Sequence, residues 1–206
     1  MPAMARPWFL FAHGAGAPSS SPWMRRWRDH LRALGEVVSF DYPYMQARRK
    51  MPDRMPALVA AHREALAKVR ADANGAPVFL AGKSMGSRVG CHVSLEEPVA
   101  GLVCIGYPLV SGSSGALRDE VLLALRTPIL FVQGTHDSLC PIPKLEDVRA
   151  RMTAPSWLYT VQDANHSLEL PRVKHTPALQ KDVEISALDA VRRFLEDVNK
   201  TAPGPV

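Results

Sequence analysis

The chain has 206 residues, 47% hydrophobic and 22% charged, with a formal charge of +5, which suits a globular protein with one sizeable core. The basic residues are scattered. The densest group, Arg48-Arg49-Lys50, reads as a solvated loop, so a nucleic-acid surface is not expected. No apolar stretch approaches the roughly 20 residues that span a membrane, and Cys91, Cys104 and Cys140 match no metal-ligand spacing and read as free thiols in a reducing cytoplasm.

At the N-terminus, Arg6 precedes apolar residues 7–12, and Ala15-Gly16-Ala17 outlines a cleavage site. The apolar core is shorter than the roughly 7–15 residues of a secretory h-region, so the segment reads as a mature cytoplasmic N-terminus opening on a strand. Strands are predicted at 8–12, 37–40, 78–81, 101–105, 129–133 and 157–161. They are near-continuous apolar runs, the mark of strands covered on both faces. Helices are predicted between and after them, at 22–34, 56–72, 86–95, 117–125, 143–151 and 179–199. Leu58, Ala61, Ala65, Leu66 and Val69 form an apolar stripe in the second helix. Val183, Leu188, Val191, Phe194 and Leu195 do so in the last. This alternation predicts an α/β fold, with right-handed crossovers and a mostly parallel sheet of about six strands clothed by helices on both faces. A single domain over residues 1–206 is expected, with residues 201–206 as a frayed tail.

The third strand runs into Gly82-Lys83-Ser84-Met85-Gly86 and then a helical segment. Gly-x-Ser-x-Gly between strand and helix is the context of a nucleophile elbow, a turn that lifts the serine to the end of the sheet. A phosphate-binding loop can also end in Gly-Lys-Ser, but it needs a glycine where Pro77 stands and a loop where residues 78–80 read as strand.

Ligands of such sheets bind beyond the carboxyl ends of the strands. The residues found there are His13-Gly14-Ala15-Gly16, Asp41-Tyr42-Pro43-Tyr44, Ser84, Gly106-Tyr107-Pro108, Gly134-Thr135-His136-Asp137 and Asp163-Ala164-Asn165-His166. Serine, acid and histidine occur in the order Ser84, Asp137, His166, the order of the α/β-hydrolase arrangement. Ser84 needs a base, and His166 fits because its loop can fold back over the elbow. His62 and His92 fall within helices, His30 late in the first helix, and His136 beside the acid; His175 is the runner-up. Asp137 is the expected carboxylate on the far imidazole nitrogen, with Asp163 and Asp41 as alternatives. The amides of Met85 and Ala15 are the expected oxyanion donors, with Gly14 the nearest rival to Ala15. His13 reads as a loop organiser. The segment 110–126 is too short for a cap domain, so the pocket should be open. Gly14, Met45, Met85, Tyr107, Leu109 and Leu139 are its candidate liners.

On these residues the chain resembles the compact, dienelactone-hydrolase-related members of the α/β-hydrolase superfamily. His-Gly-Ala-Gly-Ala, Phe-Asp-Tyr-Pro-Tyr and Gly-Lys-Ser-Met-Gly-Ser-Arg look like bacterial relatives of a testis-expressed hydrolase-like protein and of a histone-acetyltransferase complex subunit. The resemblance spans residues 8–195, with Lys83 its most particular token. It implies a hydrolase of unspecified substrate that uses Ser84, Asp137 and His166 and no cofactor. Dienelactone hydrolases use a cysteine nucleophile, so Ser84 speaks against a lactone-specific enzyme. The leading expectation is a serine hydrolase acting on a small soluble ester or thioester. A non-catalytic scaffold of the same fold is the alternative. Nucleotide-dependent phosphoryl transfer rests only on Gly82-Lys83-Ser84.

Overall fold

The computed structural model describes residues 6–201. Six strands, β1 (Trp8–Ala12), β2 (Glu36–Phe40), β3 (Val78–Lys83), β4 (Gly101–Ile105), β5 (Ile129–Gly134) and β6 (Ser156–Val161), form one sheet of order β2-β1-β3-β4-β5-β6. Every pairing is parallel. Successive side chains alternate between the faces. Leu10 and Ala12 of β1 enter one core, Phe9 and Phe11 the other.

Helices cover both faces, as the apolar strands require. One core packs under α3 (Met55–Ala73), α4 (Met85–Ser94), α5 (Glu120–Ala124) and α6 (Ile142–Arg149), which contribute Leu66, Val89, Leu122 and Leu145. The other packs under α1 (Pro22–Arg32) and α7 (Pro177–Thr201) through Trp27, Leu31, Val191 and Phe194. Helix α1 starts where Ser21 accepts from the Met24 amide and Pro22 takes the first turn, which needs no N–H there. It buries Met24, Trp27 and Leu31, one side of the helix at three- and four-residue spacing. Helix α3 ends at Asn74, whose left-handed backbone (φ 45°) breaks the hydrogen-bond ladder.

Two elements differ from expectation. The helix expected over 117–125 is confined to Glu120–Ala124, because Leu117 pairs with Val110 in an antiparallel bridge before the chain can coil. A short helix, α2 (Pro43–Gln46), lies in what reads as a loop. Among the described residues the segment between β4 and β5 builds no cap domain, and no helix is long and apolar enough to cross a membrane. Of the expected tail at 201–206, Thr201 ends α7 and the rest lies outside the described residues.

The strand order places the site. The chain leaves β1 for β2 on one flank and returns to β3 on the other, so the carboxyl ends of β1 and β3 adjoin where the winding reverses. Ala12 is in register with Gly82, which brings the loop after β1 beside Ser84.

Candidate active site

Ser84 joins β3 directly to α4, with φ 50° and ψ −116°. Such a conformation costs a non-glycine residue of order 1–3 kcal/mol and persists only where its surroundings enforce it. Here the enforcement is close packing. A Cβ on Gly82 would come within 2.3 Å of the Ser87 nitrogen, and one on Gly86 within 2.5 Å of the Ala12 oxygen. The Ser84 amide donates to Ile105 O at 3.0 Å, tying the turn to β4.

His166 stands on the loop after β6. Its Nε2 accepts from Ser84 Oγ at 2.8 Å, and its Nδ1–H donates to Asp137 Oδ2 at 2.7 Å. The bond to the carboxylate leaves the Nε2 lone pair facing the hydroxyl. Asp137 follows β5, and its side chain is fully buried. The amide of Leu139 (2.9 Å) and the side-chain amide of Gln133 donate to its two oxygens. Gln133 is itself buried, and its Oε1 accepts from the Tyr107 amide at 2.9 Å. The buried carboxylate is therefore hydrogen-bonded throughout, which a buried charge requires.

The loop after β1 is held by His13 at its own start and by the segment that follows β2. His13 donates from Nδ1 to Gly14 O at 2.6 Å, and its Nε2 accepts from the Tyr42 amide at 3.2 Å. The Tyr44 hydroxyl is shared between Ala15 O (3.1 Å) and Gly14 O (3.4 Å). With the Gly14 carbonyl turned toward His13 and Tyr44, the N–H of the same planar peptide, that of Ala15, points the other way. Among the described residues neither that amide nor the Met85 amide, which opens α4, has a backbone acceptor. A Cβ on Gly14 would lie 3.4 Å from Ser84 Cβ, so this loop and the elbow touch.

These elements enclose a cavity of about 370 Å³, floored by Ser84 and His166 and walled by the Gly14–Ala17 segment, Trp23, Met24 and Leu139. Gly14 and Leu139 are at the wall. Tyr107 and Leu109 are not; both are fully buried in the core beneath α3–α6. The reason is the positive φ of Gly106 (61°), which turns the chain inward so that Tyr107 meets Phe131 edge-on at 5.7 Å. Met45 and Met85 also pack against that core. The alternative acids are engaged elsewhere. Asp41 accepts from the Ser19 amide at 2.7 Å, and Asp163 pairs with Lys174, which holds its carboxyl below the usual range.

Residues that sequence reasoning passed over include Gln133, Trp23 and Glu169, the last two lining the cavity. Gln133 was the legible one, a lone amide in an otherwise apolar strand. Lys83 is 9% exposed, and its ammonium donates to the His166 carbonyl. Burial pushes its pKa down to about 8, against the pull of Asp137 and Glu169.

Residues 5–196 match the family model of the alpha/beta hydrolase domain, and the chain belongs to that family. Solved structures at low identity share its fold. An alpha-beta serine hydrolase homologue from Coxiella burnetii superposes with a TM-score of 0.68 at 18% identity, covering 97% of this chain and 86% of that one. A serine hydrolase without a lid from Xanthomonas campestris gives 0.70 at 19%, covering 93% and 84%. Dienelactone hydrolase from Anabaena variabilis gives 0.68 at 22%, covering 92% and 87%.

Proposed function

We propose that this protein is a serine hydrolase that cleaves a small carboxylic ester or thioester through an acyl-enzyme on Ser84. The observation that supports this most is the unbroken chain from Ser84 Oγ through His166 to a buried, fully hydrogen-bonded Asp137, at the foot of a cavity. In this reading His166 Nε2 takes the Ser84 proton as Oγ bonds to the substrate carbonyl carbon. The Met85 and Ala15 amides receive the negative charge that moves onto the carbonyl oxygen. The imidazolium, stabilised by Asp137, returns its proton to the departing oxygen or sulfur as that bond breaks. Water activated by the same histidine then releases the acid and frees Ser84.

The cavity suits a short acyl chain. Trp23, Met24 and Leu139 supply apolar wall, and among the described residues no cap lies above to extend it. Each enclosed CH₂ contributes about 0.8 kcal/mol, and the gain ends where the wall does. On p-nitrophenyl esters, kcat/KM is expected to peak at acetate or butyrate, without interfacial activation. A preference for octanoate would reject the size reading. The chemistry is tested by a fluorophosphonate probe, which should label the native chain at Ser84 and leave Ser84→Ala unlabelled. A native protein that stays unlabelled and inert on every ester would point to the scaffold alternative.

A further inference from the structure

Lys83 directly precedes Ser84, yet it takes no part in the hydrolytic scheme. A buried ammonium costs several kcal/mol to take from water unless its surroundings replace the lost solvation. Among the described residues, this one is met by the backbone carbonyl of His166 and by the face of Trp23, whose centroid is 5.2 Å away. The neighbouring strand ends leave room for that contact. A Cβ on Gly14 would lie 3.4 Å from Lys83 Cγ. At Gly106 a Cβ would come within 2.4 Å of the His166 oxygen and 3.1 Å of Nζ. Any larger residue at position 106 would stand in the contact.

His166 needs such a contact. It lies on the long connection between β6 and α7, and its side chain is 26% exposed. The Asp137 bond sets the tautomer and rotation of the ring, but not where the loop rests against the elbow. Ser84, by contrast, is rigidly placed between β3 and α4.

We propose that Lys83 is a positioning residue that ties the elbow strand to the backbone of His166 and so keeps the imidazole in line with Ser84 Oγ. This rests on Ser84 and His166 acting as nucleophile and base. A charge-assisted hydrogen bond is about twice as strong as a neutral one, so the tie slackens when the ammonium loses its proton. The titratable groups facing it are Asp137 after β5, and His166 and Glu169 on the loop after β6. The β1 loop and the end of β4 face it with Gly14 and Gly106. With the pKa of Lys83 lowered to about 8, the tie is full below that pH and weakens above it.

The test is Lys83→Met, similar in length but without a donor. Expected is a fall in kcat of about 10–100-fold on p-nitrophenyl butyrate, the scale of a misplaced reacting group. KM should stay within about threefold, since Lys83 borders the cavity but its nearly buried ammonium is turned to the His166 carbonyl and Trp23. The native enzyme should also lose kcat/KM as pH rises through about 8, and the variant should lack that limb. A kcat within about twofold of native, or a raised KM at native kcat, would overturn the proposal. Should Lys83→Met not fold, Lys83→Leu, also without a donor, takes its place, and a kcat within about twofold of native again overturns the proposal. A native protein that a fluorophosphonate does not label would instead sink the hydrolase reading. The tie is then read without turnover, from the ¹⁵N chemical shift of His166 Nε2, which accepts from Ser84 Oγ. That shift should move toward the value of an imidazole nitrogen without this bond in Lys83→Met, and an unchanged shift would refute the proposal.

Discussion

Two histidine–acid pairs flank Ser84, and they are built in opposite senses. On one side His13 follows β1 and Asp41 follows β2; on the other Asp137 follows β5 and His166 follows β6. In the first pair the histidine side chain is fully buried and the acid 29% exposed, at 3.7 Å. In the second the acid is fully buried and the histidine 26% exposed, at 2.7 Å. His13 spends both ring nitrogens on the backbone, and burial pushes its pKa below the usual histidine value. It is locked neutral with no lone pair to offer. His166 spends only Nδ1 on Asp137 and turns Nε2 to the serine. A histidine beside an acid is therefore not enough. A base needs an uncommitted nitrogen within reach of substrate, and its carboxylate must be shielded from water. Only the second pair combines these.

Deleting each histidine is the severest way to break the comparison. His166→Ala should lower kcat about 10⁶-fold, the loss typical of removing a base from such a unit. His13→Ala should lower kcat by no more than about 10²-fold, through a shifted loop. Its main effect should be on stability, with about 1–3 kcal/mol lost as buried partners go unpaired. Ester kinetics and urea denaturation of both variants measure the contrast, and equal kinetic losses would erase it. The acids come next. Asp137→Asn should lower kcat about 10⁴-fold by favouring the wrong imidazole tautomer. If Asp163→Asn lost that much instead, the role would move there.

Acid stability separates the two sides further. Behind His13 lies His62 of α3, its Nδ1 3.0 Å from the Tyr42 hydroxyl, and burial pushes its pKa down to about 3. Below the usual histidine value the unfolded chain takes up a proton that the folded chain refuses. The stability contributed by neutral His62 is thus fully present above about pH 6.5 and lost as pH falls toward about 3, and buried His13 acts in the same direction. Denaturant titrations across that range should show a loss of a few kcal/mol, shallower in His62→Leu. A slope unchanged by that substitution would place the acid sensitivity elsewhere.

Much of this architecture was legible in the sequence because the strands are buried on both faces. Each reads as an apolar run bounded by helical periodicity, and β4 falls on the expected residues, 101–105. Ser84, Asp137 and His166 stood out because parallel strands all end at the same edge of a sheet, so residues far apart in the chain become neighbours. Orientation was not legible. Tyr107 and Leu109 follow a strand end like the others, but the left-handed turn at Gly106 sends them into the core. Nor does periodicity expose a pairing such as Val110 with Leu117, which shortens α5. The contacts of Lys83 with Trp23 and the His166 carbonyl join three separate elements, and no local pattern carries them.

Asp41 gives the mildest and most discriminating comparison. It occupies the place in the first pair that Asp137 holds in the second, yet it faces solvent and accepts from the Ser19 amide. Its attraction to His13 is weak, because a neutral imidazole offers no charge and both ring nitrogens are already bonded. Asp41→Asn keeps an oxygen acceptor for Ser19 and should change neither stability nor kcat measurably. Asp41→Ala removes it and should cost about 0.5–1.5 kcal/mol, which lowers Tm by about 2–4 °C per kcal/mol in a chain of this size. In both variants kcat should stay within about threefold of native, a difference of about 0.6 kcal/mol in barrier. If Asp41→Asn instead lost activity on the scale of Asp137→Asn, the two pairs would be working together. His13 would then have to exchange a proton during turnover, and its apparent commitment to the backbone would have to break.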